Sequence, residues 1–151
     1  MIQRKQSVYL LVAVIVLICA LCLPLGYFVG ADQVDALAFK PLGVIQADGS
    51  LLSTWGVFSL LLLSAVVSFC TIFLFRNRRL QMRMIVFNVV VLVAYFFVLL
   101  LFISTLKSDL NSSFQLNWAL CLPVGDIILN GLAFGSIRQD DQLVKAADRI
   151  R

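Results

Sequence analysis

Four long apolar stretches dominate the pattern of hydrophobic and polar positions along the chain. They cover residues 8–30, 52–75, 84–106 and 114–137. Each is long enough to cross a hydrocarbon core of about 30 Å at a rise of about 1.5 Å per residue. The first three contain no charged side chain, and the fourth contains one. Because the bilayer interior offers no water to the backbone, each stretch is predicted to form a helix.

The composition agrees with a membrane location and limits which catalytic and metal-binding side chains the chain can supply. Of the 151 residues, 62% are hydrophobic and only 13% are charged, whereas a soluble domain carries charge on about a quarter of its residues. The chain has no histidine and no glutamate, so it lacks the commonest general base and a frequent metal ligand. We therefore predict an all-α polytopic membrane protein, a four-transmembrane-helix antiparallel bundle, with no metal and no cofactor.

The basic residues set the direction of the four predicted spans. Ten of them lie at the N-terminus, in the segment 76–83 or at the C-terminus, and only Lys40 and Lys107 lie in the other two loops. This asymmetry follows the positive-inside rule and predicts that both chain ends are cytoplasmic. Basic residues divided in this way indicate anchoring near anionic headgroups rather than binding of nucleic acid.

The segments outside the spans are short. The domain prediction is a transmembrane domain over residues 1–137 and a cytoplasmic amphipathic tail over 138–151. The external loop 31–51 carries the turn-forming sequences Pro41-Leu42-Gly43 and Asp48-Gly49, which favour a small hairpin lying on the membrane. The short cytoplasmic loop 76–83 predicts that the second and third helices are antiparallel neighbours.

Asp126 is the strongest candidate for a functional side chain. It lies near the middle of the fourth span, where a charge costs roughly 2.5–3.5 kcal/mol on insertion scales. Asn130 lies one turn further on and Pro123 three residues before. One hypothesis is a proton or cation relay that uses Asp126, with Asn130 or Asn88 as a hydrogen-bonding neighbour. The other is a structural role in which Asp126 bonds internally and holds helices together.

The four cysteines raise a redox alternative. Cys19 and Cys22 form a C-x-x-C pair, and Cys70 and Cys121 lie in other spans. A reactive thiol requires a thiolate, which water and a nearby positive charge would stabilise. The first span supplies no cation. Buried cysteine acting as a small hydrophobe is therefore the favoured interpretation.

Small residues four positions apart indicate close packing between helices. The pairs are Gly26 with Gly30, Ser64 with Ser68, and Gly131 with Gly135. Packing within the bundle and dimerisation explain these pairs equally well.

The C-terminal tail is the most regular polar segment. Asp140 and Asp141 precede Lys145, an order that suits the helix dipole. We predict a short amphipathic helix that docks on the inner membrane surface or on a protein, although a plain helical extension with solvated charges remains open. The predicted docking residues are Leu143, Lys145, Ala147, Arg149, Ile150 and Arg151.

Both ends of the chain carry a resemblance. The sequence MIQRKQ at residues 1–6, running into VYLL at 8–11, and the tail DQLVKAADRIR at 141–151 resemble a family of four-span membrane proteins of the Bacteroidota that is classed as a domain of unknown function. The resemblance implies a location in the bacterial inner membrane. It implies no activity and no catalytic residue.

The sequence therefore favours a protein that is not an enzyme. The leading hypothesis is a non-catalytic subunit or assembly partner of a larger membrane complex, with a membrane-protein partner or a second copy of the chain beside it in the lipid bilayer. The first alternative is a small proton- or cation-coupled transporter that uses Asp126. The second alternative is a membrane thiol oxidoreductase that uses Cys19 and Cys22.

Overall fold

The computed structural model describes residues 3–30, 37–45, 51–74, 77–109 and 112–149. Those residues form four α-helices and five β-strands, and a 3-10 turn (Trp118–Leu120) leads into the last helix. In chain order the elements are α1 (Gln3–Cys22), β1 (Gly26–Gly30), β2 (Leu37–Lys40), β3 (Gly43–Ile45), β4 (Leu51–Ser53), α2 (Trp55–Phe73), α3 (Arg78–Asp109), β5 (Ser112–Leu116) and α4 (Cys121–Arg149).

The four helices pack as a closed ring. Helix α1 lies against α2 and α4, α2 lies against α3, and α3 lies against α4. Each helix turns one apolar stripe inward and leaves other large apolar side chains exposed, including Val8, Ile15, Phe69, Val90 and Phe97. A soluble bundle would cover its outer faces with polar side chains. Outer faces of this composition are suited to contact with lipid chains.

The five strands form one antiparallel sheet at one end of the bundle. The strand order is β4-β3-β2-β1-β5, and β1 pairs with β5 along its whole length, from Gly26 opposite Leu116 to Gly30 opposite Ser112. Strand β1 follows α1 and strand β5 precedes α4, so this pairing ties the first and last helices together. We call this end of the bundle the sheet end, and the end that carries Arg78, Arg79 and Arg83 the arginine end.

Three phenylalanines connect the sheet to the bundle. The ring centroids of Phe28 and Phe39 are 5.7 Å apart, and Phe114 lies 5.0 Å from Phe28 and 6.0 Å from Phe39. Phe28 and Phe39 are fully buried and belong to the same core as Leu17, Leu99 and other helix residues. The sheet therefore closes the end of the bundle with an aromatic layer.

The predicted all-α class is wrong, because a mainly helical chain also carries this sheet. Residues 26–30, 52–53 and 114–116 were predicted to be the ends of helical spans, and all of them lie in strands. Apolar periodicity cannot separate a buried strand from the end of a buried helix when the run is short. Pro24 follows α1 closely and cannot continue its hydrogen bonding. The strand pairing of β1 with β5 then uses backbone groups that a helix would have bonded locally.

The predicted hairpin in the external loop is confirmed at its first turn. Strands β2 and β3 pair antiparallel around Pro41 and Leu42. Gly43 follows the turn, and a Cβ atom at that position would lie 2.6 Å from the carbonyl oxygen of Leu52. The second turn signal, Asp48-Gly49, lies outside the described residues.

The segment 76–83 was predicted to be a loop, and most of it is helical. Helix α3 begins at Arg78, so Arg78, Arg79 and Arg83 lie on its first turns. The tail is not a separate helix, because α4 continues without a break to Arg149. Both differences place basic residues on rigid helix ends rather than on flexible connections.

Three of the helices are long and apolar enough to cross a membrane. They are α2, α3 and α4 together with the 3-10 turn that precedes it. The apolar part of α1, Ser7–Cys22, is shorter. Trp55 and Trp118 lie where α2 and the turn before α4 leave the sheet, and their side chains are 68% and 65% exposed. Exposed tryptophans at such a level are typical of a membrane interface.

Candidate functional site: a polar cluster inside the bundle

Asp126 lies in the interior of the bundle. Its side chain is fully buried, whereas Val124 and Ile128 on the same helix are exposed. Asn130 is also buried and lies one turn further along α4. The amide Nδ2 of Asn130 donates to the carboxyl Oδ2 of Asp126 at 3.0 Å and to the backbone oxygen of Asp126 at 2.9 Å. Asn130 therefore donates both of its amide hydrogens to Asp126.

Asn88 of α3 joins this pair to α2. Its Nδ2 donates to the Oδ1 of Asn130 at 3.5 Å and to the Oγ of Ser68 at 2.9 Å. Its Oδ1 accepts from the Oγ of Ser64 at 2.8 Å. We call Ser64, Ser68, Asn88, Asp126 and Asn130 the polar cluster. The cluster connects three helices, and each of its five side chains is at most 1% exposed.

A second set of buried polar side chains continues from the polar cluster toward the arginine end. The Nε2 of Gln81 donates to the backbone oxygen of Thr71 at 3.4 Å, and both residues are buried. Further on, Arg78 lies beside Asp140, with an Nη2–Oδ2 distance of 3.9 Å and a hydrogen bond of 3.3 Å to the backbone oxygen of Asp140. These contacts hold the arginine ends of α2, α3 and α4 in register.

Two buried polar atoms have no hydrogen-bond partner among the described residues, the Oδ1 of Asp126 and the hydroxyl of Tyr95. The contacts Asn88–Asn130 and Arg78–Asp140 fix the antiparallel register of α3 and α4. That register places Tyr95 and Asp126 within about one helical turn, roughly 5 Å, of each other along the bundle axis. An unsatisfied buried polar group is costly and is a frequent mark of a functional position.

The structure brings the three predicted polar residues together. Asp126, Asn130 and Asn88 are in one hydrogen-bonded group. Asp126 is also the single charged residue of the four apolar stretches. The next charged side chain that faces the interior of α4 is Asp140, and it lies fourteen residues away, about 21 Å along the helix. Among the described residues, Asp126 and Asp140 are the buried charged side chains.

Sequence reasoning missed the buried polar side chains of Gln81 and Tyr95, and it treated Ser64 and Ser68 only as a close-packing pair rather than as hydrogen-bonding groups. Ser64 and Ser68 are one turn apart, and both face Asn88. Tyr95 is two turns from Asn88 and therefore shares its helical face. The spacing of Asn88 and Tyr95 could have indicated that Tyr95 faces the same side of the helix as Asn88.

The predicted helix-packing glycines have different environments from those expected. Gly26 and Gly30 lie in β1 and not in a helix, so the prediction of helix packing is wrong for them. A Cβ atom at Gly26 would lie 2.3 Å from the Cζ of Phe114. A Cβ atom at Gly131 or Gly135 would meet nothing within 4 Å, so these two glycines do not mediate close helix contacts within the chain.

The four cysteines lie apart from the polar cluster. Cys19, Cys22, Cys70 and Cys121 are free thiols with exposed positions, which on these apolar helices means the outer surface of the bundle. They were predicted to be buried small hydrophobes, and that prediction is wrong. Among the residues that the structure describes, no group of cysteine and aspartate side chains is arranged to hold a metal ion.

The tail residues divide into exposed apolar and paired charged positions. Leu143 and Val144 are 59% and 46% exposed, and the Nζ of Lys145 bonds to the Oδ2 of Asp141 one turn earlier. Of the other predicted docking residues, Ala147 and Arg149 are described only in their backbone. Ile150 and Arg151 lie outside the described residues.

Three helices long and apolar enough to cross a membrane, together with a polar cluster enclosed by the bundle, are consistent with a helical membrane protein. The chain belongs to the family described as a domain of unknown function, DUF4293, whose model matches residues 2–150. The match confirms the predicted membership of a family classed as a domain of unknown function. No curated protein matches the chain.

Proposed function

We propose that this protein is a non-catalytic subunit or assembly partner of a larger complex in the bacterial inner membrane. In this proposal all four helices cross the bilayer, and both chain ends and the arginine end face the cytoplasm. The observation that carries the proposal is the contrast between an interior whose charged residue is bonded into a structural cluster and a tail whose apolar residues are exposed. The two parts of this contrast are the polar cluster and the tail.

The polar cluster has the geometry of a lock between helices. The amide of Asn88 on α3 donates to Ser68 of α2 and to Asn130 of α4, whereas the amide of Asn130 donates to Asp126 within α4. Small side chains and interhelical hydrogen bonds are the usual means by which membrane helices associate, because lipid provides no hydrophobic drive between them. A cluster of this kind fixes one arrangement of α2, α3 and α4, which is what a scaffold requires.

The short apolar part of α1 is compatible with a fourth span. The apolar part of α1, Ser7–Cys22, extends over about 24 Å, which is a few ångströms short of a hydrocarbon core of about 30 Å, and local thinning of the bilayer accommodates such a difference. Its outward face carries the exposed apolar residues Val8, Leu11, Ile15 and Ile18. A helix that packs between α2 and α4 and exposes such a face is best placed within the bilayer.

The tail supplies the surface for a partner. Residues 138–149 extend α4 by about 18 Å beyond the fourth predicted span. Leu143 and Val144 are exposed there, while Asp141 and Lys145 neutralise each other on the same helix. An exposed apolar pair on a rigid helix is suited to insertion into a groove of a partner protein.

We expect the double substitution Leu143→Ser with Val144→Ser to disrupt a native complex. Truncating an apolar anchor at an interface costs about 1 kcal/mol or more for each residue, so the affinity should fall about thirtyfold. The measurement is purification of the tagged full-length protein in mild detergent, with quantification of proteins that accompany it in stoichiometric amount.

The matched control is Leu42→Ser, because Leu42 is exposed in the turn at the sheet end. This variant should retain the partner in full amount. Recovery of the wild-type chain alone, or equal recovery of a partner with and without Leu143 and Val144, would contradict the proposal.

A second candidate function is a small proton- or cation-coupled carrier that uses Asp126. The specific observation in its favour is the pair of buried, unpartnered atoms, Asp126 Oδ1 and the Tyr95 hydroxyl. A carboxylate oxygen that lacks a partner could accept a proton or contribute to binding a cation. A carrier function requires that a proton or cation flux across the membrane depends on Asp126, whereas the subunit proposal requires no flux.

A further inference from the structure

Two adjoining cavities lie between the start of α3 and the last part of α4. The first has a volume of about 500 Å³ and is lined by charged residues that include Arg79, Arg83 and Asp141. The second has a volume of about 430 Å³ and is lined by Arg79, Met82, Arg83, Val86 and Phe134. Because the two cavities share Arg79 and Arg83, they form one groove that is polar at the arginine end and apolar toward the middle of the bundle.

Two arginines of this groove are exposed and lie close together on α3. Arg79 and Arg83 are one helical turn apart on α3, and both are exposed. Like charges at this spacing destabilise a helix unless an anion lies between them. Neither arginine forms a salt bridge with a described residue, whereas Arg78 lies beside Asp140. The one acid that lines the polar part, Asp141, is bonded to Lys145 and also interacts electrostatically with Arg79, so it offsets part of the positive charge of the groove.

The apolar part continues from the two arginines along the same face of α3. Positions 79, 82, 83 and 86 are spaced to form a single stripe on a helix. The antiparallel register of α3 and α4 places Phe134 beside the deeper part of this stripe. The groove therefore offers two guanidinium groups at the level of the helix ends, and below them apolar side chains that face the predicted hydrocarbon region.

We propose that this groove binds one anionic glycerophospholipid. The phosphate diester of the headgroup lies between Arg79 and Arg83, and an acyl chain lies along Met82, Val86 and Phe134. Guanidinium groups form strong, directional hydrogen bonds to phosphate oxygens. Basic pockets between membrane helices are suited to anionic headgroups. The apolar half distinguishes a lipid from a free phosphate ion, because a small anion would leave that half uncovered.

The test is native mass spectrometry of the full-length protein in detergent, titrated separately with dioleoylphosphatidylglycerol and dioleoylphosphatidylcholine. We expect one molecule of the anionic lipid to be retained by each chain at concentrations where the zwitterionic lipid is not. Each arginine near an anionic headgroup contributes about a fivefold change in affinity, so Arg79→Gln with Arg83→Gln should weaken binding about 25-fold. Arg79→Lys with Arg83→Lys keeps the charge and should retain most of it.

The matched control removes the same charge elsewhere. Lys107→Gln with Arg138→Gln changes two exposed basic residues outside the groove and should leave binding unchanged. A variant with both arginines intact, Val86→Trp, fills the apolar half and should weaken retention about tenfold through lost acyl contact. Val90→Trp, one turn deeper on an exposed position, should not.

Three results would overturn the proposal. They are equal retention of the two lipids, unchanged binding in the Arg79→Gln and Arg83→Gln variant, and displacement of phosphatidylglycerol by an equal concentration of inorganic phosphate. The last result would identify a phosphate site in place of a lipid site. Should the double glutamine variant fail to fold, the lipid selectivity of the wild-type chain and the Val86→Trp variant decide the question.

Discussion

Replacement of Phe39 by alanine is expected to lower the free energy of unfolding by about 3–5 kcal/mol, the range found for large buried aromatics. Phe39 is fully buried, and its ring lies against those of Phe28 and Phe114. The same side chain belongs to the core formed with helix residues such as Leu99. Its removal therefore opens a cavity where the sheet meets the bundle, and both parts lose contacts.

Thermal or denaturant unfolding of the purified protein in detergent measures this loss. Lys40→Ala is the matched control, because Lys40 is the next residue of β2 and its side chain is exposed. We expect a change below about 0.5 kcal/mol for the control. A Phe39→Ala variant as stable as the Lys40→Ala variant would mean that the sheet does not pack on the bundle.

Replacement of Asn88 by alanine is the second large expected effect. Asn88 makes three side-chain hydrogen bonds, to Ser64, Ser68 and Asn130. Interhelical hydrogen bonds in membranes contribute about 0.6 kcal/mol each on average, so their joint loss costs about 2 kcal/mol. The polar groups left behind on α2 and α4 then lie in an apolar interior without their partner.

The same unfolding measurement applies, with Val90→Ala as the control on the same helix. Val90 lies two residues further on and is exposed on the outer face. Its truncation should change stability by less than about 0.5 kcal/mol. Equal effects of the two substitutions would show that the polar cluster does not hold the helices together.

The helices could be predicted from the sequence because their signal is local. Apolar runs with no charged residue, or with Asp126 alone, identify the central parts of α2, α3 and α4 without any knowledge of tertiary contacts. The boundaries were less accurate. Helix α3 extends into the charged segment that begins at Arg78, since arginine is a good helix former and its first turns need no apolar face.

The sheet could not be predicted because its stabilising contacts are remote in sequence. Strand β1 pairs with β5 over a separation of more than 80 residues, from Gly26 opposite Leu116 to Gly30 opposite Ser112. Before that pairing is known, Tyr27 and Phe28 fit the end of an apolar helix as well as a strand. Gly26 was assigned to helix packing for the same reason, although its lack of a side chain makes room for Phe114.

The candidate site was predicted in part. Asp126 and Asn130 could be paired from their spacing, since residues four apart share a helix face. Asn88 could be included because it is a polar residue within the third predicted span. The hydrogen bonds of Ser64 and Ser68 could not be assigned, because short hydroxyl side chains in a membrane helix also bond to their own backbone. Which helix faces which is decided by packing of the whole bundle.

The substitution Asp126→Asn tests most directly whether Asp126 is a structural residue of a subunit. Wild-type and variant chains are reconstituted in sealed vesicles for measurement of proton and cation flux, and their thermal unfolding is compared in detergent. We expect no flux above protein-free vesicles for either chain. We also expect equal or higher stability for the variant, because asparagine can accept the bond from Asn130 without burying a charge. Flux through the wild-type protein that the substitution abolishes would contradict the account and establish the carrier.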